Sequence, residues 1–172
     1  KLREQYINSI NRQHKGYELA VNNLASMTDD ELLELRGMTG RITEHTPTEV
    51  EGKKTGLRGS KSIPTNFDWR DKGAVTPVKD QGACGSCWSF AMAESLEGVY
   101  FVKNHQLFNF SQQLLMDCSW KYGNNACFGG EPFRGYEWIM VDGYMTSTDR
   151  YGPYLMADGA CHMDFSTAVF KG

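Results

Sequence analysis

The sequence predicts an α+β protein in which helices outnumber strands and a small helical segment precedes a larger body. Three observations support this fold class. Apolar residues recur at helical spacing in residues 1–14, in 86–103 and again from residue 132. One short stretch, residues 17–22, alternates apolar and polar positions as a strand does. The composition changes abruptly near residue 62.

The two parts on either side of residue 62 differ in charge and in aromatic content. Residues 1–62 contain no Phe, Trp or Cys and hold 10 basic against 9 acidic residues, whereas residues 63–172 hold 8 against 12. The net charges are therefore +1 and −4, which gives −3 for the chain. This balance shows no preference for nucleic acid, and no apolar run is long enough for a membrane span, so we expect neither partner. The contrast indicates a detachable segment with its target, or two neighbouring domains.

The first part is predicted to contain two helices and a strand. The apolar face of the first helix consists of Leu2, Tyr6, Ile7 and Ile10. Residues 17–22 would form the strand. Thr28 is a favourable N-cap for the second helix, Glu31 completes a capping box with it, and Gly37 is a suitable stop. Residues 38–62 are rich in glycine and charge without a sustained period, which predicts a linker or an extended segment.

The second part is predicted to be organised around a long helix. Residues 63–79 should be mostly extended, and Asn104 should end the helix that begins near residue 86. The predicted buried stripe of this helix consists of Phe90, Ala93, Leu96, Val99, Tyr100 and Val102. Ser111 would cap a shorter helix, a further helix would begin near Pro132 and stop at Gly143, and the tail has no obvious closing element.

Residues 81–90, Gln-Gly-Ala-Cys-Gly-Ser-Cys-Trp-Ser-Phe, place the thiol of Cys87 in the first turn of the long helix. Unpaired backbone N–H groups and the partial positive charge at a helix start favour a thiolate there. The cysteine count is five, so four can pair in three ways and one stays free. The sequence itself does not choose among these pairings.

The run Cys84-Gly-Ser-Cys87-Trp88 resembles the nucleophile signature of papain-family cysteine peptidases, and the chain as a whole resembles a precursor of the cathepsin L and K branch. The resemblance implies a papain-like two-lobed fold. Residues 1–37 would be a helical inhibitory pro-region, 38–62 an extended segment filling the cleft, and 63–172 the N-terminal half of the peptidase domain. This chain would then supply mainly the helical left lobe, with the β-rich right lobe largely absent. Ser26 stands where the family has an acidic residue.

The resemblance also assigns the site residues. Cys87 would be the nucleophile, and the Gln81 side chain and the Cys87 backbone N–H would be the oxyanion-hole donors. Gly129 and Gly130 would pair with an extended substrate, and Glu131 and Pro132 would line the pocket for the second residue before the cut. Because Glu131 is unusual at that position, we expect a weaker preference for bulky apolar side chains. The implied disulfides are Cys84–Cys127 and Cys118–Cys161.

The family mechanism also needs a His and an Asn, which lie about 130–150 residues after the cysteine. Only 85 residues follow Cys87. The four histidines, His14, His45, His105 and His162, are better interpreted as solvated side chains. We therefore expect both groups on a second polypeptide or a missing C-terminal half, and we expect this chain alone to be inactive. Its partners would be that polypeptide, a protein or peptide substrate, and its own pro-region as inhibitor; no cofactor or metal is predicted.

Other interpretations remain open. Cys84 and Cys87 also form a Cys-x-x-Cys motif, which predicts a thiol–disulfide redox protein. A metal site built from Cys84, Cys87, Cys118 and Cys127 is weaker, because the second pair is widely spaced. Residues 1–62 could instead serve as a non-catalytic inhibitory module of the pro-region type. The sequon at Asn109 fits a lysosomal or secreted protein, although Ser111 is also the helix cap.

Overall fold

The computed structural model describes residues 2–37 and 64–172. The helices are α1 (Leu2–Asn11), α2 (Asp29–Glu34), α3 (Cys87–Asn104), α4 (Gln112–Cys118), α5 (Pro132–Val141) and α6 (Thr148–Tyr151). The strands are β1 (Tyr144–Met145) and β2 (Phe170–Lys171), which pair antiparallel. Short 3₁₀ turns lie at Asn23–Ser26, Arg70–Lys72, Trp120–Tyr122, Ala126–Phe128 and Phe165–Thr167. No helix within these described ranges is long and apolar enough to cross a membrane.

The first part contains both predicted helices but lacks the predicted strand. The capping box of α2 is present, with the Thr28 side chain accepting from the Glu31 N–H and the Glu31 carboxylate accepting from the Thr28 N–H. Residues 17–22 form no strand, so that prediction is wrong. The Asn11 side-chain amide donates to the Leu19 carbonyl and accepts from the Leu19 N–H, each at 2.8 Å. These backbone groups are therefore not available to pair with another strand. The linker predicted at 38–62 lies outside the described residues.

The core of the body forms where α3 crosses α4 and α5. The buried apolar residues include Trp88, Met92, Leu114, Leu115 and Trp138. The sequence placed α3 correctly to within one residue, and His105 ends it with a left-handed backbone. Part of the predicted stripe is not buried, however: Val99 is 66% exposed and Val102 is 54% exposed. Burial on α3 follows Trp88 and Met92 instead.

A buried carboxylate fixes the extended segment before the loop to α3. Glu97 is 2% exposed and accepts hydrogen bonds from the Phe110 N–H at 2.9 Å and the Thr76 hydroxyl at 2.6 Å. Lys79 lies 3.2 Å from the same carboxylate. Because a buried charge is tolerated only when it is paired and hydrogen-bonded, this set holds residues 76–79 in place. Those residues lead directly into the loop that precedes Cys87.

The tail closes in a way that the sequence did not predict. β2 pairs with β1, with Tyr144 opposite Lys171 and Met145 opposite Phe170. The Phe170 ring packs against the rings of Tyr100 and Phe110. Two-residue strands have too little periodicity to be recognised in a sequence. Gly143, the predicted stop of α5, lies two residues beyond the last residue of the helix.

Candidate active site

The loop of residues 81–86 delivers Cys87 to the first position of α3. Gly82 has a positive φ of 59°, which a residue with a side chain seldom adopts. Cys84 is joined to Cys127, and the Gly85 N–H donates to the Cys127 carbonyl at 2.9 Å. These contacts fix the middle of the loop to the segment around Cys127. The thiol of Cys87 is therefore held at the mouth of an 18-residue helix.

The cysteine pairs in the structure are those that the family resemblance implies. Cys84 is bonded to Cys127 and Cys118 to Cys161, and all five cysteines lie within the described residues, with Cys87 free. A redox pair of Cys84 with Cys87 is not what the structure contains. The suggested four-cysteine metal site loses three of its ligands to the disulfides, and no cluster of possible metal ligands occurs in residues 2–37 and 64–172.

The Cys87 thiol is half-buried and donates a hydrogen bond to the Arg36 carbonyl at 2.7 Å. Burial raises the pKa of Cys87, while the backbone N–H groups of Trp88 and Cys87 lower it and the Glu131 carboxylate raises it. The result is a pKa above the ordinary value. The helix start therefore acts as the sequence predicts, but burial outweighs it, and the thiol remains protonated and bound to a carbonyl.

The Gln81 side chain points toward the same stretch of backbone. Its Nε2 donates to the Leu35 carbonyl at 2.7 Å and to the Cys84 carbonyl at 2.8 Å. Leu35 and Arg36 are neighbours in the chain, so the Gln81 amide and the Cys87 thiol contact consecutive peptide groups. The two side chains that the family resemblance assigns to acyl transfer therefore lie against one short piece of main chain, on consecutive carbonyls.

Gly130 extends this contact by one more residue. Its N–H donates to the Gly37 carbonyl at 2.9 Å. A Cβ on Gly130 would lie 2.8 Å from the Trp88 ring, and a Cβ on Gly37 would collide with the Gly85 carbonyl. Gly37 therefore requires glycine because its main chain lies against that of Gly85, and Gly130 requires it because the Trp88 ring and the Asn124 side chain leave no room for a Cβ. Gly129, with φ of 106°, turns the chain into this approach.

Glu131 and Pro132 follow at the start of α5. Pro132 is its first residue, as predicted, and the Glu131 N–H donates to the Asn124 side-chain oxygen at 2.8 Å. Asn124 is completely buried, and its own side-chain nitrogen donates to the Ser119 hydroxyl at 3.0 Å. The sequence analysis missed Asn124, because an asparagine in a glycine-rich loop is typical of a turn. It holds the Gly130–Glu131 strip in place.

The histidines lie away from the thiol or outside the described residues. His14 and His105 are exposed at the ends of α1 and α3, and His45 falls outside the described ranges. His162 stacks on the Tyr151 ring, and both of its ring nitrogens lie against carbonyls, those of Ala160 at 3.0 Å and Tyr151 at 3.1 Å. These carbonyls raise the pKa of His162. Its contacts are therefore local and do not include Cys87.

Comparison with known proteins identifies the class to which this fold and site belong. The family model described as "Papain family cysteine protease" matches residues 63–171. The chain therefore belongs to the papain family of cysteine proteases, on its cathepsin L-like branch. The helix-rich body corresponds to the helical left lobe of the papain-like fold.

The individual relatives agree with this assignment. The chain is 39% identical to a cathepsin L-like peptidase of Aedes aegypti over 86% of this chain and 44% of that protein. It is 40% identical to cathepsin L of Sarcophaga peregrina, over 88% and 45% of the two chains. The structure of digestive procathepsin L2 proteinase from the larval midgut of Tenebrio molitor superimposes with a TM-score of 0.80 at 29% identity, covering 98% of this chain and 56% of that one. The chain spans about half the length of the relatives it matches.

Proposed function

We propose that this chain is the zymogen form, or a fragment, of a cathepsin L-like cysteine endopeptidase whose own first part blocks its cleft. One observation supports this most strongly. Three consecutive carbonyls, those of Leu35, Arg36 and Gly37, accept hydrogen bonds from Gln81, Cys87 and Gly130 in turn. These donors belong to the three residues that the family resemblance places against a substrate, although Cys87 donates here through its thiol and not through its backbone N–H. Among the described residues this contact lies at 35–37; the segment 38–62, which is expected to fill the cleft, lies outside them.

The proposed mechanism uses Cys87 as nucleophile. The sulfur attacks the carbonyl carbon of a substrate peptide, and the Gln81 amide with the Cys87 N–H stabilises the oxyanion that forms. The peptide C–N bond then breaks, the amine leaves with a proton, and a thioester remains on Cys87. Water hydrolyses the thioester and regenerates the thiol. Gly130 holds the extended substrate through its backbone, as it holds Gly37 here.

The proton transfers in this mechanism need a base, and we place it outside this chain. Of the described histidines, His162 is bound to local carbonyls and His14 and His105 are exposed away from α3's first turn, and burial raises the pKa of Cys87. A mostly protonated thiol with no neighbouring imidazole is a weak nucleophile. The catalytic His and Asn therefore come from a second polypeptide or from a C-terminal half, and this chain alone is inactive.

An apolar groove on the body supports a docking place for the companion part. It is bordered by Trp69, Val75 and Val78 on the extended segment and by Val99 and Val102 on α3. Val78 is fully exposed and the other four side chains are about half or more exposed. Exposed apolar side chains grouped in this way are typical of an interface. We place the polypeptide that supplies the His and Asn on this face.

The disulfides and the sequon bear on the compartment. Two disulfides form and persist in an oxidising environment, which supports a lysosomal or secreted protein. Asn109 is exposed and so can hold a glycan, although Ser111 is buried as the cap of α4. Expression in a secretory host should give a glycan mass that Asn109→Gln removes. An unchanged mass would exclude this modification.

Glycine substitutions in the first part test the blocking contact directly. Gly37→Ala, at a φ of 57°, introduces a Cβ that collides with the Gly85 carbonyl. Gly16→Ala also falls at a positive φ, 80°, but its Cβ would have nothing within 4 Å. We expect a thiol-directed peptidyl inhibitor to label Cys87 faster in Gly37→Ala and at the wild-type rate in Gly16→Ala, as measured by mass spectrometry. Equal labelling of all three proteins would contradict the zymogen proposal.

A second candidate function is inhibition of a related peptidase by residues 1–62 in trans. The same three carbonyl contacts favour it, since they show that this backbone fits such a cleft. In this structure residues 35–37 already contact the candidate site of the same chain, which favours inhibition within the molecule. The purified chain should be added to an active cathepsin L; hydrolysis that is not slowed would exclude action in trans.

A further inference from the structure

Tyr154 lies beside the candidate active site, although the mechanism above makes no use of it. Its hydroxyl is 2.8 Å from the carbonyl oxygen of Gln81 and 2.5 Å from the hydroxyl of Ser86. Gln81 is the first residue of the loop 81–86, and Ser86 directly precedes Cys87. One side chain therefore contacts both ends of the loop that separates the amide donor from the nucleophile.

The directions of these two hydrogen bonds follow from elementary chemistry. A carbonyl only accepts, so the single hydroxyl proton of Tyr154 is donated to Gln81. The Ser86 hydroxyl must then donate to the Tyr154 oxygen. Burial raises the pKa of Tyr154, donation from Ser86 lowers it and Asp80 raises it, with a net pKa above the ordinary value. The phenol is therefore neutral and able to donate at physiological pH.

The loop needs such a restraint at its ends. It contains Gly82 and Gly85, which restrict the backbone little. Its middle is fixed by the disulfide of Cys84 and by the hydrogen bond of the Gly85 N–H. Ser86 is completely buried at the start of α3, yet its side chain makes no capping hydrogen bond to the helix. Its hydroxyl is engaged with Tyr154 instead.

Tyr154 is itself well anchored. Its ring packs edge-to-face on Phe90 of α3, with the ring centroids 5.0 Å apart. The next residue, Leu155, donates its backbone N–H to the Gln113 side chain of α4 at 2.9 Å. A phenylalanine at position 154 would keep the ring contact and lose only the two hydroxyl contacts. The hydroxyl can therefore be tested without removing the packing.

We propose that Tyr154 is a positioning residue that fixes the separation between the Gln81 amide and Cys87 by binding both ends of the loop 81–86. It touches neither the substrate nor the reacting atoms. Its importance for hydrolysis rests on the proposed function, because that separation matters only if Gln81 and Cys87 are the oxyanion donor and the nucleophile. The positioning itself is a property of this chain and is measured without a substrate.

The test is Tyr154→Phe in the full chain, with hydrogen exchange of the Gln81 side-chain amide followed by NMR. We expect exchange to become roughly three- to tenfold faster, the factor expected for loss of one ordinary intramolecular hydrogen bond. The Asn124 side-chain amide is the internal reference, because it is completely buried and donates to the Ser119 hydroxyl, away from Tyr154 and its neighbour Leu155. It should exchange at the wild-type rate, since a general loosening of the fold would accelerate both amides.

The matched control is Tyr136→Phe. The Tyr136 hydroxyl is 2.5 Å from the Ser95 hydroxyl of α3. This is the same kind of tyrosine–serine contact, but it lies away from the loop 81–86. It should leave the Gln81 amide unchanged. Faster exchange of Gln81 alone in Tyr154→Phe supports the proposal, whereas equal acceleration of both amides, or none, overturns it. Should that variant fail to fold, Ser86→Ala removes one of the two contacts and is judged by the same two amides.

Discussion

The two helical regions of this chain are held by different interactions. α3, α4 and α5 bury a continuous apolar core that includes Trp88 and Trp138, and two disulfides link the loops around it. α1 and α2 bury no residue completely, and Leu2 and Tyr6 of the predicted apolar face are 84% and 62% exposed. The body is therefore stabilised by its own interior, while the first part is attached to it mainly through hydrogen bonds at residues 35–37. Under the proposed function, this difference would provide a rigid site with a covering that can be removed.

The largest expected effect is on the free energy of unfolding, and it compares a buried aromatic residue of the body with an exposed one of the first part. Trp88 is 2% exposed and its indole N–H donates to the Ala126 carbonyl, so Trp88→Ala should lower the free energy of unfolding by about 3–5 kcal/mol. Tyr6→Ala should change it by less than about 0.5 kcal/mol. Urea unfolding of both variants measures the contrast. Similar losses in the two would show that the first part belongs to the same cooperative unit.

Two helix caps provide a second and smaller contrast. Ser111 caps α4 by accepting from the Leu114 N–H, and Thr28 caps α2. Ser111→Ala should lower the free energy of unfolding of the body by about 1 kcal/mol, the usual value of an N-cap. Thr28→Ala should leave that quantity unchanged and instead accelerate amide exchange within α2. An effect of Thr28→Ala on unfolding of the body would contradict independent attachment.

A third test concerns the candidate site alone, through the effect of the Glu131 carboxylate on the Cys87 thiol. The Glu131 carboxylate raises the pKa of Cys87, so Glu131→Gln should lower that pKa and accelerate alkylation at neutral pH. Glu137→Gln, on the exposed face of α5, is the control and should have no effect on Cys87. Mass spectrometry of alkylation at a series of pH values measures both. A slower reaction of Glu131→Gln would contradict the electrostatic argument.

Glu131 also gives a prediction about specificity in the complete enzyme. Under the proposed function, Glu131 would line the pocket for the second residue before the cut, where its carboxylate should weaken the preference for bulky apolar side chains. Profiling with a peptide library measures that preference. A strong selection of Leu or Phe at this position would contradict the prediction.

The smallest expected effect concerns the capping box of α2 in acid. The Thr28 backbone and side chain lower the pKa of Glu31 below 4.5, so its carboxylate stabilises the folded state above that value. This stabilisation is lost as the pH falls through the lowered pKa, and α2 should fray there. The chemical shift of the Thr28 amide over an acid titration measures it. Glu31→Gln keeps an acceptor without a proton to gain, and it should abolish the transition; a transition that persists would assign it to another group.

Sequence patterns predicted local structure well and long-range contacts poorly. The capping box at Thr28, the start of α3 and Pro132 at the start of α5 all depend on neighbouring residues, and each is where the sequence placed it. Residues 17–22 alternate like a strand, but the Asn11 side chain binds the backbone of Leu19, and an alternating pattern gives no information about such a contact. Val99 and Val102 fit the helical stripe and yet face an open groove, because periodicity identifies an apolar face but not its cover.

The candidate site shows the same division. The motif around Cys87 is local, and the family resemblance extended it to Gln81, Gly130 and Glu131. The carbonyls of Leu35 and Arg36 were not predictable, since every residue has a carbonyl and only the path of the chain selects these. Tyr154 was visible only as part of a turn-rich tail, and its two hydrogen bonds depend on the fold that brings it 73 residues back to Gln81.

Residues 35–37 contribute main-chain carbonyls to their hydrogen bonds with the candidate site. Because Arg36 presents its carbonyl to Cys87 while its side chain is exposed, exchanging that side chain should leave the contact in place. Leu35 also lines a groove with Ala83 and Phe128, and Gly37 has no room for a Cβ. The proposed inhibitory contact thus depends mainly on the course of the backbone at residues 35–37. Under that proposal, segments of other sequence should replace this one if they keep Gly37 and an apolar residue at position 35.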